Sequence, residues 1–428
     1  MSKLRRFALL AIAALATAAS AQTLARPGWA GSGLNAEPWW KRAVVYQLDP
    51  RSFSAEGLRG IPPRLNYLHA LGVDAILLTN TSGAIDPALG TMDDLDDLIH
   101  QASSRDIRVL LELDPHAPDL PAVARLWLNH GVAGFHLPGG TPDQVADLKK
   151  LIHSVVGQRI LLGDVGPDDS QKGRDPGSPE LLTDPRAATV PQFTAAAVRP
   201  GVEAAQALLQ AGRAIPLVLS DGPGYTRSFS RYGDGTHDID IAKTLAAILF
   251  ATDAAPLVYY GQELGLASAP SQGDAPEIHW DAPPKVKPAP GQPPPPPPPS
   301  ISPNGPNAAL EDADPASLLN WYRQLSALRH TNRAISSGAQ IVLNHDDQDV
   351  LVWVRKPQTV SSLTPPVVVI FNLSAQPVTL SLKADMQRLH LRGSFLRSLL
   401  RSDNGMGAMH LDGMTLAPFT VYLGELRF

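Results

Sequence analysis

The sequence contains no cysteine and little charge, and each shortage removes a class of function. With no cysteine among 428 residues, disulfide frameworks, thiolate metal sites and cysteine nucleophiles are excluded. Charged residues make up 18% of the chain, its net charge is −5, and no long basic run occurs beyond the N-terminus, which argues against nucleic-acid binding. No later apolar run predicts a membrane span. The 44% hydrophobic content suffices for one large and one small globular domain.

The N-terminus has the three-part pattern of an export signal. Basic residues precede the apolar segment 7–18, and a small-residue Ala-Ser-Ala end follows at 19–21. The apolar segment is shorter than a membrane-spanning helix. We therefore expect a signal peptide over residues 1–21, an N-terminal extension over 22–38, and a mature protein that is periplasmic or extracellular. The alternative is an uncleaved membrane anchor.

Apolar segments of strand length and helix length alternate between residues 39 and 339. About eight such repeats with fully apolar strands indicate a parallel sheet that is buried on both faces and closed into a (β/α)8 barrel, the TIM barrel of the α/β class. Two tryptophans, Trp39 and Trp40, are expected to cap the bottom of this barrel. The predicted strands are 43–48, 74–78, 107–113, 134–137, 159–162, 216–219 and 256–260, and the predicted helices include 58–71, 92–104, 120–129 and 143–155.

Prolines are concentrated in residues 283–306, where Pro293–Pro299 is uninterrupted. Such a tract predicts an extended polyproline-II loop, because it can form neither a helix nor a central strand. The helical pattern resumes at 317–330, so the tract is interpreted as a passive insertion within the barrel domain. A domain linker and a segment that docks into an aromatic-lined partner groove are the alternatives. Residues 340–428 have a strand-like period and predict a small antiparallel β-sandwich, with strands at 350–354, 367–372, 378–382 and 415–423.

Five motifs follow one another along the chain. The first strand reads WWKRAVVYQLDPRSF over Trp39–Phe53, and GTMDD follows at Gly90–Asp94. Later come RSFSRYGD at Arg227–Asp234, VYYGQELG at Val258–Gly265 and WYRQL at Trp321–Leu325. In their residues and in their order along the chain, these motifs resemble those of glycoside hydrolase family 13, the α-amylase and α-glucosidase family. The resemblance covers nearly the whole mature chain and implies the barrel and the final β-domain of that family.

The resemblance also implies where the family's catalytic carboxylates would fall. Retaining cleavage of an α-glycoside needs a nucleophilic carboxylate and an acid/base carboxyl about 5 Å apart, and this family adds a third carboxylate. The nucleophile position holds Pro138, which has no nucleophilic atom, and His136 replaces the family's arginine. The acid/base position holds Asp164 in place of glutamate. The third carboxylate falls at residues 222–224, or at Asp221 in a looser register, without its usual histidine.

Much of the family's substrate-binding rim is also altered. At the end of the third strand, His116 stands where the family has a calcium-binding asparagine, and Ala117 stands where it has a substrate-binding histidine. The short connection to the next strand implies that the family's domain B is absent. The loop after the second strand is reduced to residues 79–84.

The joint loss of these groups favours an exported, catalytically impaired member of the family, because the members of a catalytic unit fail together. The retained scaffold would then bind an α-glucan or oligosaccharide, or a protein, as the amino-acid transporter heavy chains of this family do. The alternative is an active α-glucoside hydrolase or transglycosylase with Asp164 as acid/base and a substitute nucleophile such as Asp221. No cofactor is expected.

Several polar residues, Glu112 among them, should lie at the carboxyl ends of strands, where barrel enzymes keep their sites. His136 and Asp164 could form a base and its orienting partner. Alternatively, Asp114, His116 and His136 could ligate a metal ion, although no compact ligand motif supports this. The remaining interpretation, which we favour, is that these residues are remnants that satisfy loop backbone or face solvent.

Overall fold

The computed structural model describes residues 38–81, 85–166, 177–212, 214–268, 275–282, 301–302, 305–403, 405 and 407–428. The predicted signal peptide, nearly all of the predicted N-terminal extension and most of the predicted proline loop lie outside these ranges. Within them, every helix is too short or too polar to traverse a bilayer.

Eight parallel strands form a closed barrel in sequential order, and β1 pairs with both β2 and β8. This confirms the predicted (β/α)8 architecture and adds a sixth strand that is missing from the predicted set. Only one helix separates the third and fourth strands, as expected for a barrel without domain B. The strands are β1 Val45–Leu48, β2 Ala75–Leu78, β3 Arg108–Glu112, β4 Gly134–His136, β5 Ile160–Asp164, β6 Leu181–Asp184, β7 Ile215–Val218 and β8 Ala255–Tyr259.

Helices surround the barrel, and side-chain caps fix where several of them begin. Thr91 accepts a hydrogen bond from the Asp94 amide while the Asp94 carboxylate accepts one from the Thr91 amide, which forms a capping box. Thr141 and Gln144 repeat this arrangement. The helices are α1 Pro50–Phe53, α2 Leu65–Ala70, α3 Met92–Ser103, α4 Leu120–Asn129, α5 Pro142–His153, α6 Ala195–Gln210, α7 Ser228–Tyr232, α8 Asp238–Ala251, α9 Ala308–Ala313, α10 Leu318–Thr331, α11 Arg333–Ser337 and α12 Lys383–Arg388.

One predicted helix is shorter than expected. The segment 58–71 contains two 3-10 turns, Gly57–Gly60 and Pro62–Arg64, before the six-residue α2. Two consecutive prolines explain the difference, because neither has the amide hydrogen that a continuous α-helix requires.

The interior of the barrel is filled with apolar side chains, so the barrel is a packed core. At the amino-terminal end, Trp39 and Trp40 pack against this core, which confirms their predicted capping position. The Trp39 indole donates a hydrogen bond to the Gln158 carbonyl (3.0 Å), and the Arg108 guanidinium lies 4.4 Å above its ring.

The C-terminal region forms a six-stranded antiparallel sheet with a second, two-stranded layer. One face of the large sheet packs on the helices of the barrel, and the other packs under the small layer. The predicted strand 415–423 is wrong in extent, because it divides into two strands that belong to different layers. The large sheet contains β11 Ala339–Leu343, β12 Val350–Lys356, β13 Val367–Asn372, β15 Phe395–Arg401, β16 Met409–His410 and β18 Val421–Arg427; the small layer contains β14 Val378–Leu380 and β17 Met414–Leu416, and β9 Ile301–Ser302 pairs with β10 Gly305–Pro306 elsewhere in the chain.

Buried arginines hold the turn between α8 and β8. The Arg329 guanidinium donates to the carbonyls of Arg42, Phe250, Thr252 and Ala254, at 2.7 to 3.3 Å. Burial lowers the pKa of Arg329 to about 9, so this side chain remains charged at neutral pH. The charge is stabilised largely by backbone dipoles, and the barrel depends on it to satisfy these carbonyl groups.

We predict that Arg329→Met lowers the free energy of unfolding by about 3–5 kcal/mol, because it leaves four carbonyl groups without their donor. Arg329→Lys should be intermediate, since an ammonium group cannot reach all four acceptors. Urea unfolding followed by tryptophan fluorescence measures the effect. The exposed pair Arg51–Asp86 supplies the control, since Arg51→Met should cost about 1 kcal/mol or less. A loss for Arg329→Met as small as that of the control would contradict the prediction.

Candidate functional site

The register of the barrel brings four polar side chains together at the carboxyl ends of β3 to β6. Glu112 pairs with His136 across β3 and β4, and Asp164 pairs with Thr183 across β5 and β6. His136 is 6% exposed, whereas the carboxylates of Glu112 and Asp164 are partly open to solvent. These residues lie on the face where barrel enzymes carry out their chemistry.

His136 forms a hydrogen bond through each of its ring nitrogens. Its Nδ1 lies 3.2 Å from Glu112 Oε2, and its Nε2 lies 2.9 Å from Asp164 Oδ1. Asp164 also accepts hydrogen bonds from the Thr183 hydroxyl (2.6 Å) and from the Gly139 amide (3.0 Å). Gly139 has a φ of 64°, a left-handed conformation that suits glycine. The four residues and this amide form a connected network, here called the His136 network.

The charges within the His136 network fix its protonation. Burial lowers the pKa of His136, but hydrogen bonds and charges from Asp164 and Glu112 outweigh burial and raise it to about 9. For Asp164, burial raises the pKa, but His136, Thr183 and the Gly139 amide together lower it to about 2. At neutral pH the network therefore contains an imidazolium ion and an ionised Asp164.

This protonation opposes each chemical role expected for the two residues. A general acid must hold a proton near the working pH, and Asp164 does not. An imidazolium has no lone pair, so His136 can neither accept a proton nor ligate a metal ion. The predicted pairing of His136 with Asp164 is present in the structure, as an ion pair.

Asp221 lies in a different network. It follows β7, is 1% exposed, and accepts hydrogen bonds from the Ser228 amide and the Ser228 hydroxyl (2.7 Å) at the start of α7. Burial raises its pKa, while the charges of Arg227 and Arg231 and the hydrogen bonds from Ser228 act in the opposite direction. Its hydrogen-bond partners are not those of Asp164. Asp221 therefore belongs to a hydrogen-bond network that His136 and Asp164 do not share.

The loop after β7 covers part of the barrel mouth. Leu219 is buried and, together with Tyr225, packs against the apolar interior of the barrel. The ring of Tyr225, the side chain of Leu219 and the Gln47 amide oxygen all approach Gly222. Two cavities, of about 480 and 410 Å³, lie elsewhere, and neither is lined by His136, Asp164 or Asp221.

The proposed metal ligands do not converge. Asp114 accepts a hydrogen bond from the His116 amide (2.8 Å), and both residues are exposed in the turn after β3. Across the described part of the chain, no group of three or more histidine, aspartate or glutamate side chains is placed to hold a metal ion.

Thr183 and the Gly139 amide are the members of the network that sequence reasoning missed. Thr183 lies on β6, the strand absent from the predicted set. The apolar pair Leu181 and Leu182 before it was the available signal. The Gly139 amide could not have been found from the sequence, because its direction depends on the conformation of the turn after β4.

Sequence comparison identifies sugar-cleaving enzymes and a transporter subunit as relatives. A 95-residue segment, 18% of this chain, is 44% identical to 17% of the trehalose-6-phosphate hydrolase of Escherichia coli. A 97-residue segment is 40% identical to the glucan 1,6-alpha-glucosidase of Streptococcus pneumoniae and covers 18% of each chain. A 350-residue match at 25% identity joins 71% of this chain to 62% of the amino acid transporter heavy chain SLC3A2 of Rattus norvegicus. The chain thus matches less than two thirds of each relative, and no family model matches it.

Solved structures share the fold over most of the chain. Trehalose-6-phosphate hydrolase from Bacillus licheniformis has a TM-score of 0.76 at 17% identity, covering 92% of this chain and 100% of that chain. Isomaltulose synthase from Erwinia rhapontici has a TM-score of 0.75 at 18% identity, with the same coverage. At these identities the similarity shows a common barrel with a C-terminal β-domain.

We predict that His136 titrates with a pKa of about 9 in NMR spectra of the folded protein, and that Asp164→Asn lowers this pKa. The folded-state value exceeds the unfolded value of about 6.5. The stabilisation is therefore complete below about pH 6.5 and is lost as the pH rises through about 9. The difference in unfolding free energy between the wild type and His136→Gln should shrink over this range. A His136 pKa near 6.5 would refute the prediction.

Proposed function

We propose that the chain is a catalytically impaired relative of the enzymes of glycoside hydrolase family 13, the α-amylase and α-glucosidase family. In this proposal the barrel and β-domain serve to bind a glycan or a protein. The observation that carries the proposal is the ion pair between His136 and Asp164 beside the nucleophile position, which holds Pro138.

Double displacement at an anomeric carbon requires two carboxyl groups with opposite roles. One must attack as a carboxylate, and the other must begin as an acid and then act as a base. Asp164 is the one acidic residue at a position that corresponds to these two groups. It is held as a carboxylate by three donors, so the leaving group would receive no proton from it.

More than one of the family's catalytic groups is altered, and the losses act together on the reaction rate. Loss of a single member of a catalytic unit costs on the order of 10⁴ to 10⁶ in rate. Here Pro138 replaces the nucleophile, and Asp221 is turned toward Ser228. Restoring one group would leave the others unable to complete the reaction.

Binding is the role that such a scaffold retains. Isomaltulose synthase, which shares the fold, has been solved with its natural substrate sucrose, and this favours a glycan as the ligand. The long match to a transporter heavy chain favours a protein partner. We propose the glycan as the first to test, because the shorter matches, at 44% and 40% identity, are to a trehalose-6-phosphate hydrolase and a glucan 1,6-alpha-glucosidase.

We predict no turnover of maltooligosaccharides or 4-nitrophenyl α-glucoside by the purified protein between about pH 4 and 9, because Asp164 has a pKa of about 2 and cannot act as the acid. Chromatographic detection of released sugar measures the reaction, and Asp164→Ala sets the background. Release by the wild type that disappears in both Asp164→Ala and Asp221→Ala would overturn the proposal. That result would instead support an active hydrolase or transglycosylase with Asp221 as nucleophile.

We also propose that the chain is exported, on the pattern of its first 21 residues. Expressed in a Gram-negative host, the full-length protein should appear in the periplasm or the medium with Gln22 as its N-terminal residue. N-terminal sequencing of the recovered protein checks this. Replacing the basic residues Lys3, Arg5 and Arg6 with glutamate should cause the precursor to accumulate in the cytoplasm. A mature protein that retains residues 1–21 in the membrane fraction would favour an uncleaved anchor.

A further inference from the structure

A cleft of about 480 Å³ lies outside the loops that follow β1 and β8. It is lined by residues 52–56, 60, 63–64 and 277–281. In the sequential barrel, β1 and β8 stand opposite β5 and β4, so the cleft is separated from the His136 network by the width of the barrel. Its volume falls within the range of small-molecule sites, about 300–1,000 Å³.

Trp280 forms a rigid wall of this cleft. Its indole donates a hydrogen bond to the Phe53 carbonyl (3.2 Å). Its ring also makes edge contacts with Phe53 and Tyr67, with centroids 5.0 and 5.2 Å away. Aromatic packing on two sides and a hydrogen bond on a third fix the plane of the ring.

Arg64 stacks on this wall and presents donors to the cleft. Its guanidinium carbon lies 4.7 Å from the centre of the Trp280 ring. Among the described residues, its side chain has no hydrogen-bond or ion-pair partner, whereas nearby Arg59 is paired with Asp94. Stacking holds the guanidinium in place without using its N–H groups. The cleft therefore contains a guanidinium group that is held in place and whose N–H groups can donate hydrogen bonds to a ligand.

Three carboxylates also line the cleft around the Arg64 guanidinium. The side chains of Glu277 and Asp281 have no hydrogen-bond or ion-pair partner within the described ranges, and the Glu56 carboxylate accepts a hydrogen bond from the Ser54 hydroxyl (3.0 Å). Ile278 is buried and anchors the segment that carries Glu277 and Asp281. Three carboxylates and one guanidinium thus face the same space, with a net negative charge.

This arrangement selects for a particular ligand chemistry. The surplus of carboxylates repels phosphates and other anions, and the Arg64 guanidinium needs hydrogen-bond acceptors, which a simple cation does not supply. A polyhydroxylated neutral ligand satisfies both kinds of group, since each hydroxyl both donates and accepts. Neighbouring hydroxyl oxygens of a sugar ring can accept the two parallel N–H groups of the guanidinium.

We propose that this cleft, here called the Arg64 cleft, binds a neutral oligosaccharide on the flank of the barrel. The proposal rests on the glycan-binding form of the proposed function and specifies its site. The ligand is held by hydroxyl contacts with Arg64, Glu277 and Asp281, away from the altered barrel mouth. Binding there requires no catalytic group.

The test is isothermal titration of the full mature chain with maltotriose, to about 10 mM so that weak affinities are reached. Arg64→Lys keeps the positive charge but removes the planar guanidinium with its parallel N–H groups, and Glu277→Gln removes the charge of an exposed side chain. Each should weaken binding about tenfold or more, the loss typical of a hydrogen bond to a charged group. The matched controls are Arg59→Lys, outside the Arg64 cleft, and Asp164→Asn, at the barrel mouth.

Unchanged affinity in both controls, with weakened binding in both cleft variants, would support the proposal. Weakened binding in Asp164→Asn alone would place the sugar at the barrel mouth and overturn it. Absence of any maltotriose binding, or binding of a zwitterionic amino acid in its place, would also overturn it. None of these results bears on turnover, which the hydrolysis assay measures separately. Circular dichroism and melting temperature confirm that each variant is folded.

Discussion

Pairing of β8 with β1 closes the sheet, and this closure decides which side chains can meet. In a closed ring of parallel strands, each strand end has two fixed neighbours at one face. Glu112, His136, Asp164 and Thr183 come together because they end the four adjacent strands β3 to β6. The same closure sets the loops of β1 and β8 side by side, which brings Phe53 into contact with Trp280 from the far end of the barrel domain. Both polar regions of the molecule follow from one topology.

The His136 network stabilises one protonation state of Asp164. A carboxyl that is to transfer protons needs an environment that leaves its two protonation states close in free energy. Around Asp164 every donor stabilises the same state, the carboxylate. These hydrogen bonds lower the pKa of Asp164 and keep its side chain ionised at neutral pH.

Much of the fold could be predicted from the sequence, because strong local signals agreed with the final packing. The helix 120–129 was predicted with its observed bounds, and the helix predicted at 92–104 was found at Met92–Ser103. Strand β6 was not predicted, because it has only four residues and two of them are polar. The division of 415–423 depends on which sheet layer each half joins, and periodicity does not encode that choice.

The candidate site was predicted only in part, because some of its contacts follow from the order of the strands and others depend on loop conformation. His136 and Asp164 end adjacent strands, so their proximity follows from the order of the strands. Asp221 lies in a loop whose conformation is set by Ser228 and by packing over the barrel mouth, and no local pattern reports this. Arg64 and Trp280 are far apart in sequence, and their stacking depends on the whole barrel. Long-range contacts between loops were beyond sequence reasoning.

The turn between α8 and β8 has a consequence for how this protein can be divided. The Ala251 carbonyl, beside those bound by Arg329, accepts hydrogen bonds from Trp353 and Arg355 of the C-terminal sheet, each at 3.1 Å. Arg355 also reaches the Ile335 carbonyl at 2.8 Å. A fragment ending at the domain boundary would leave this backbone bare and uncover the apolar surface of α8. The barrel and the C-terminal sheet thus share buried hydrogen bonds, and we expect neither to fold normally when the chain is cut at that boundary.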